Sequence, residues 1–341
     1  MFQDVAKFEL SVPRSASKEK VILWGWDLLR NQGDCLQTTI KSYVAFDGVG
    51  LHSGLPARAR ILPAPPDHGI SFRRGDLGPD AAPIPALWNL VEQAPLCTRL
   101  INHDGVSVST VEHVMAALAG CGVHNAVVIV DGPELPILDG SSATFVRGIL
   151  NCGLRTYDAP VRAIRVTRPV EVTRGDARAR LVPHDTLLIE FDIAFEDAAI
   201  GNQRKSLNMS NGSFVRELCS SRTFCRKADV DMMRANGLAL GGTLENAVVV
   251  DGERVLSPGG LRHSDEAVRH KMLDALGDLA LAGAPLLAHY QGSRAGHALT
   301  NTLLRALFTR PDAFEVVECD AEMCARLPGA GVHMGEMPQV A

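Results

Sequence analysis

The spacing of apolar residues changes period along the chain. "TTIKSYVAFDGVGLHSG", from Thr38, runs in short β-type stretches broken by glycine-rich turns, and "ARARILPA" and "GISFRR" continue as strands. "STVEHVMAALAGCG" switches to helical spacing with a glycine stop. "NAVVIVDG" is an apolar run of buried-strand type, and "PELPILDGSSATFVRGILNCG" supplies a turn and a second helix. After "TYDAP", read as a linker near 156–160, the series restarts with strands at "VRAIRVTRPVEVT", "ARARLVP" and "LLIEFDIAF". A helix over 268–283, the strand "PLLAHYQG" and the helix "GHALTNTLLRALF" follow. Each half runs strands first, then two helices around one strand. This predicts an α+β fold of two similar domains, each a helix pair packed on a β-sheet. The boundaries read as an extension of no assignable role over 1–37, domains over 38–158 and 159–330, and a tail over 331–341.

One helix carries unusual polar residues. In "VRHKMLDALGDL", Val268, Met272, Leu273, Leu276 and Leu279 fall on one broad side at about 100° per residue. His270, Lys271, Asp274 and Asp278 fall on the other. His270 and Asp274, four apart, lie one turn above each other, which is metal-ligand spacing and equally the pattern of a solvated amphipathic face. A catalytic zinc takes three protein ligands and leaves one position open. The best third candidate is His113, because Glu112 precedes it and would place a general base beside the metal. Ser109 and Glu112 also have the spacing of a capping box, and both readings of Glu112 stay open. His297, at the start of the last long helix, is a usable general acid if a carboxylate such as Asp278 orients it. Thr223 offers a hydroxyl for a developing oxyanion, or for a simple cap.

A net charge of −5 leaves no basic excess for nucleic acid. Eight cysteines scattered singly read as reduced, cytosolic usage, and no apolar run is long enough to span a bilayer. The expectation is a cytoplasmic monomer with no nucleic-acid partner and no membrane span.

The stretches "GVGLHSG", "LCTRL", "STVEHVMAALAG", "PELPILDGSSA", "NQR", "SRTF", "GLALGGT", "RHKMLDALGDL" and "GHAL", in this order, resemble the UDP-3-O-acyl-N-acetylglucosamine deacetylases of lipid A synthesis, from about residue 38 onward. The resemblance implies a zinc ion held by His113, His270 and Asp274, with Glu112 as general base and His297, oriented by Asp278, as the acid or electrostatic partner. Thr223 is implied to contact the tetrahedral intermediate. Lys271, Phe224, Arg294, Leu96 and Gly242 match substrate-binding positions, with Arg294 near the diphosphate. An insert near 222–251 is implied to form an apolar passage for the acyl chain. The active site is then expected in a cleft between the two domains. After Phe224 the family continues with glycine and an aromatic residue, whereas Cys225 and Arg226 stand here, which bears on acyl-chain preference. Thr300 stands where asparagine is expected.

Two rivals follow from the same residues. Two histidines and a carboxylate also describe a non-haem iron oxygenase triad, although ligands on helices of two halves beside a glutamate favour hydrolysis. A drifted paralogue that binds acylated nucleotide sugar without turnover is the other, and the intact Glu112, His113, His270, Asp274 and His297 argue against it.

Overall fold

Alternation decides which face of each strand is buried. In Pro56–Pro63 the residues Ala57, Ala59 and Ile61 turn inward while Arg58 is exposed, and in Leu187–Ala194 the buried set is Leu187, Ile189, Phe191 and Ile193. A computed structural model describes residues 35–94 and 96–339 of the chain. Its first large sheet has the order Val44–Val49, Pro56–Pro63, Ala126–Val130, Ile70–Arg74, Ile84–Pro85. The central strand is antiparallel to Pro56–Pro63 and parallel to Ile70–Arg74.

The second large sheet repeats this arrangement. Leu286–Ser293 is antiparallel to Ala177–Pro183 and parallel to Leu187–Ala194. Val170–Arg174 and Asn202–Asn208 flank those strands. Arg162–Val166 and Phe314–Glu318 extend the sheet from the start of Leu286–Ser293. The repeat expected from the two runs of strands and helices is therefore present in the strand order itself.

The longer α-helices among the described residues are α1 (Glu112–Gly120), α2 (Ala143–Cys152), α3 (Lys227–Ala235), α4 (Glu266–Ala280) and α5 (His297–Phe308). α1 from the first half and α4 from the second pack against each other. At their crossing a Cβ on Gly277 would lie 2.1 Å from the Glu112 carbonyl oxygen, so only glycine permits this approach. One continuous core joins the halves, taking Phe72, Met115, Leu118 and Phe145 from the first and Phe191, Leu273, Leu276 and Tyr290 from the second.

Several local expectations change. "TYDAP" is not a linker: Leu154–Pro160 is a strand paired with Leu36–Ile40, and its largely polar sequence, with only Ala159 buried, hides its regularity. That pairing also takes Leu36 and Gln37 out of the stretch read as an extension, whose residues 1–34 lie outside the described residues, as do 340–341 of the tail. The insert is a small sheet of Phe224–Arg226, Val248–Asp251 and Arg254–Val255 with α3 beside it. The reading of the scattered cysteines as reduced does not hold for two of them: Cys35 and Cys324 form a disulfide across a sequence separation of 289, which no local spacing could reveal. No helix among the described residues is long and apolar enough to cross a membrane.

Candidate metal centre

α4 is buried almost all round: His270, Asp274 and Asp278 are as inaccessible as Val268, Met272 and Leu276. Buried charges must be paired or must hold a metal. His113, His270 and Asp274 each bring one ligand atom to a common point, all within 4.8 Å of one another. Asp274 Oδ1 lies 3.3 Å from His270 Nε2 and 3.7 Å from His113 Nε2.

The surroundings prepare these atoms as donors. His270 Nδ1 donates to the Ser221 carbonyl at 3.0 Å, which turns the unprotonated Nε2 toward the cluster. Burial, only partly opposed by Asp274, lowers the His270 pKa to about 4, so the ring stays neutral, the form that ligates. Asp274 Oδ2 accepts from Lys271 Nζ at 2.8 Å, whereas the buried Oδ1 has no hydrogen-bond partner among the described residues. Burial works against ionisation of Asp274, but the His270 ring, the Lys271 ammonium and the His297 ring outweigh it and hold the carboxyl well below its usual range. Two imidazoles and a carboxylate oxygen with no partner among the described residues are the donor set expected for a divalent metal of borderline softness such as zinc.

Two proton-carrying groups flank the cluster. Glu112 does not cap its helix. Ser109 lies on the strand Ser107–Ser109, Val111 is the residue before the first turn, and Thr110 takes φ 59°, a kink that swings the chain into α1. Glu112 Oε2 instead accepts the Thr98 backbone N–H at 3.0 Å. Burial, opposed by His297 and His113, raises the Glu112 pKa. His297 Nδ1 donates to Asp278 Oδ2 at 2.9 Å, and its Nε2 stands 3.9 Å from Glu112 and 3.8 Å from Asp274. Burial favours a neutral His297, but Asp278, Glu112 and Asp274 prevail and raise its pKa to about 9.

The segment before the insert is seated on α4 by a buried ion pair. Arg222 Nε and Nη2 donate to Glu266 Oε1 and Oε2 at 2.9 and 3.1 Å, beside backbone donors from Arg222 and Arg262. This fixes the Ser221 carbonyl on His270 and sets the Phe224 ring 6.3 Å from the His270 ring.

Comparison with known proteins agrees with this geometry. Residues 37–309 match the family described as "LpxC: UDP-3-O-acyl N-acetylglycosamine deacetylase". The chain is 43% identical over 303 residues to the UDP-3-O-acyl-N-acetylglucosamine deacetylase of Shewanella sp. (strain ANA-3), covering 87% of this chain and 99% of that protein. Identity is also 43% over 302 residues to the protein of the same name from Shewanella halifaxensis (strain HAW-EB4), covering 87% of this chain and 98% of that one. The chain belongs to this deacetylase family.

The remaining positions that the resemblance marks have differing surroundings in the structure. Lys271 is committed to Asp274. Thr223 is held by backbone bonds to Gly140 and Val248, and its hydroxyl makes no hydrogen bond among the described residues. Arg294 takes φ 49° ahead of α5 and pairs with Asp176 at 3.8 Å. Leu96 is exposed. Gly242 belongs to a loop whose Gly241 N–H donates to the Leu51 carbonyl, joining it to "GVGLHSG". In that second stretch His52 escaped assignment. Its Nε2 is buried without a partner, and burial, opposed by Glu134 and reinforced by His297, lowers its pKa. Thr98, Arg222 and Glu266 escaped as well, because their partners are far away in sequence.

Proposed function

We propose that this protein removes the N-acetyl group of UDP-3-O-acyl-N-acetylglucosamine by zinc-dependent hydrolysis, releasing acetate at an early step of lipid A synthesis, and that it acts as a cytoplasmic monomer. The observation that carries this reading is a buried base and a cationic imidazole flanking a three-ligand cluster, in a chain of the deacetylase family.

Zinc held by His113, His270 and Asp274 would supply Lewis acidity at the acetamide carbonyl and a more acidic water. Glu112, anchored by Thr98, takes the proton of the attacking water. His297, kept cationic by Asp278, stabilises the developing negative charge and delivers a proton to the leaving amine. The Thr223 hydroxyl, with no partner among the described residues, donates to the oxyanion. Phe224 and Lys271 border the sugar, Leu96 and Gly242 line the approach, and Arg294 exchanges Asp176 for the diphosphate. The insert over 222–251 receives the acyl chain.

The test is acetate release from this nucleotide sugar by metal-stripped protein titrated with zinc. Turnover that appears near one equivalent is expected. Folded, substrate-binding protein that releases nothing at any zinc level would overturn the proposal, as would near wild-type turnover in Glu112→Ala.

A further inference from the structure

Thr98 stands where the two proton-carrying groups are held. Its side chain and backbone are 2% exposed, on the segment just before the strand Arg99–Ile101. The backbone N–H donates to Glu112 Oε2 at 3.0 Å, and the hydroxyl meets Asp278 Oδ1 at 2.6 Å. A carboxylate oxygen accepts, so the Thr98 hydroxyl donates to Asp278 Oδ1. The separation is that of a charge-assisted O–H···O⁻ bond. The other oxygen of the same carboxylate accepts His297 Nδ1–H at 2.9 Å. One residue therefore fixes the proposed base through its backbone and the orienter of the proposed acid through its side chain, reaching 180 positions along the chain to do the latter.

We infer that Thr98 is a positioning residue for proton transfer, a role that rests on the assignments of Glu112 and His297 above. A carboxylate held at both oxygens cannot turn about its terminal bond. With Oδ1 released inside the protein, Asp278 loses that constraint, and the His297 ring loses the fixed acceptor that aims its Nε2 past Glu112 and Asp274. An isolated structural hydroxyl would satisfy a nearby carbonyl. This one crosses to the helix that carries the metal ligands.

The experiment is a double-mutant cycle. Thr98→Val keeps the backbone N–H and the shape of the side chain but removes the hydroxyl; it is made alone and with His297→Ala, and Thr98→Ser is made beside it. Steady-state kcat and KM are measured, with bound metal and thermal unfolding as controls. Loss of a hydrogen bond to a charged group predicts a roughly 10- to 100-fold fall in kcat. KM and metal content should hold, and Thr98→Ser should recover most of the rate. In the His297→Ala background the further loss should nearly vanish, because both changes act through one carboxylate. If Thr98→Val folds poorly, Thr98→Ala with the same cycle takes its place. Full kcat in the hydroxyl-free variants, losses that multiply with His297→Ala, or a serine variant as slow as valine would each overturn the inference. Wild-type turnover in His297→Ala alone would instead sink the acid assignment, and this inference with it.

Discussion

Replacing Arg222 by methionine tests whether the segment before the insert is held by its buried ion pair. Glu266 is 1% exposed and accepts four hydrogen bonds, two from the Arg222 guanidinium and one each from the Arg222 and Arg262 backbone. Arg222→Met removes the first two and the Nη2 bond to the Gly260 carbonyl, leaving a buried carboxylate with backbone donors only. Breaking such a pair from one side costs about 3–5 kcal/mol, and the surviving backbone bonds place this site near ~3 kcal/mol. Urea unfolding at neutral pH measures it; a change under ~1 kcal/mol, the scale of an exposed pair, would refute the reasoning. The pH dependence has a definite sign. Burial alone would raise the Glu266 pKa, yet the bonds to Arg222 and Arg262 leave it depressed. Its contribution is therefore present above the unfolded carboxyl value and is lost as pH falls through the lower folded value. The gap between wild type and Arg222→Met should narrow only in acid. Because Ser221 orients His270, the variant should also bind its metal about 10- to 100-fold more weakly. Arg222→Lys restores charge without the two-pronged geometry and should recover only part of either loss.

The rate profile with pH should be bell-shaped. Glu112 works ionised from a raised pKa, so activity falls with decreasing pH above the ordinary carboxyl range, and His297 works protonated, so activity falls as pH rises through about 9. An alkaline limb near 6.5 in the wild type, or one unchanged in His297→Ala, would contradict these roles. Gly277→Ala puts a Cβ against the Glu112 carbonyl and must separate α1 from α4; a loss of about 1–3 kcal/mol in thermal or urea unfolding, with a drop in kcat, is expected, and wild-type behaviour in both would show the contact to be soft. Cys324→Ser opens a covalent loop of 289 residues, and unfolding under non-reducing conditions should show a loss of roughly 4–5 kcal/mol that dithiothreitol reproduces in the wild type.

The parts of the site that could be read from sequence are those fixed by local geometry. His270, Asp274 and Asp278 recur at helical spacing, so their shared face follows from 3.6 residues per turn, and Glu112 with His113 are neighbours. The repeat was visible because strand and helix periods differ. What stayed hidden depends on partners distant along the chain: Thr98 with Asp278, Arg222 with Glu266, Cys35 with Cys324, and Leu36–Ile40 with Leu154–Pro160. No period marks such contacts. The capping box failed for another reason, since the positive φ of Thr110 delays the helix start and sends Glu112 to Thr98.

The three ligands do not come from one half of the protein. His113 lies in the first turn of α1, whereas His270 and Asp274 sit along α4, and the chain between those helices runs through the rest of the first half, most of the second sheet and the small sheet. A cation bound by all three is therefore a cross-link as well as a reagent. Occupancy stabilises only the docked arrangement, by an amount that grows with the logarithm of free metal. Metal supply would then govern how much of the protein survives heat or proteolysis, and a chelator would act on its lifetime as well as on its turnover.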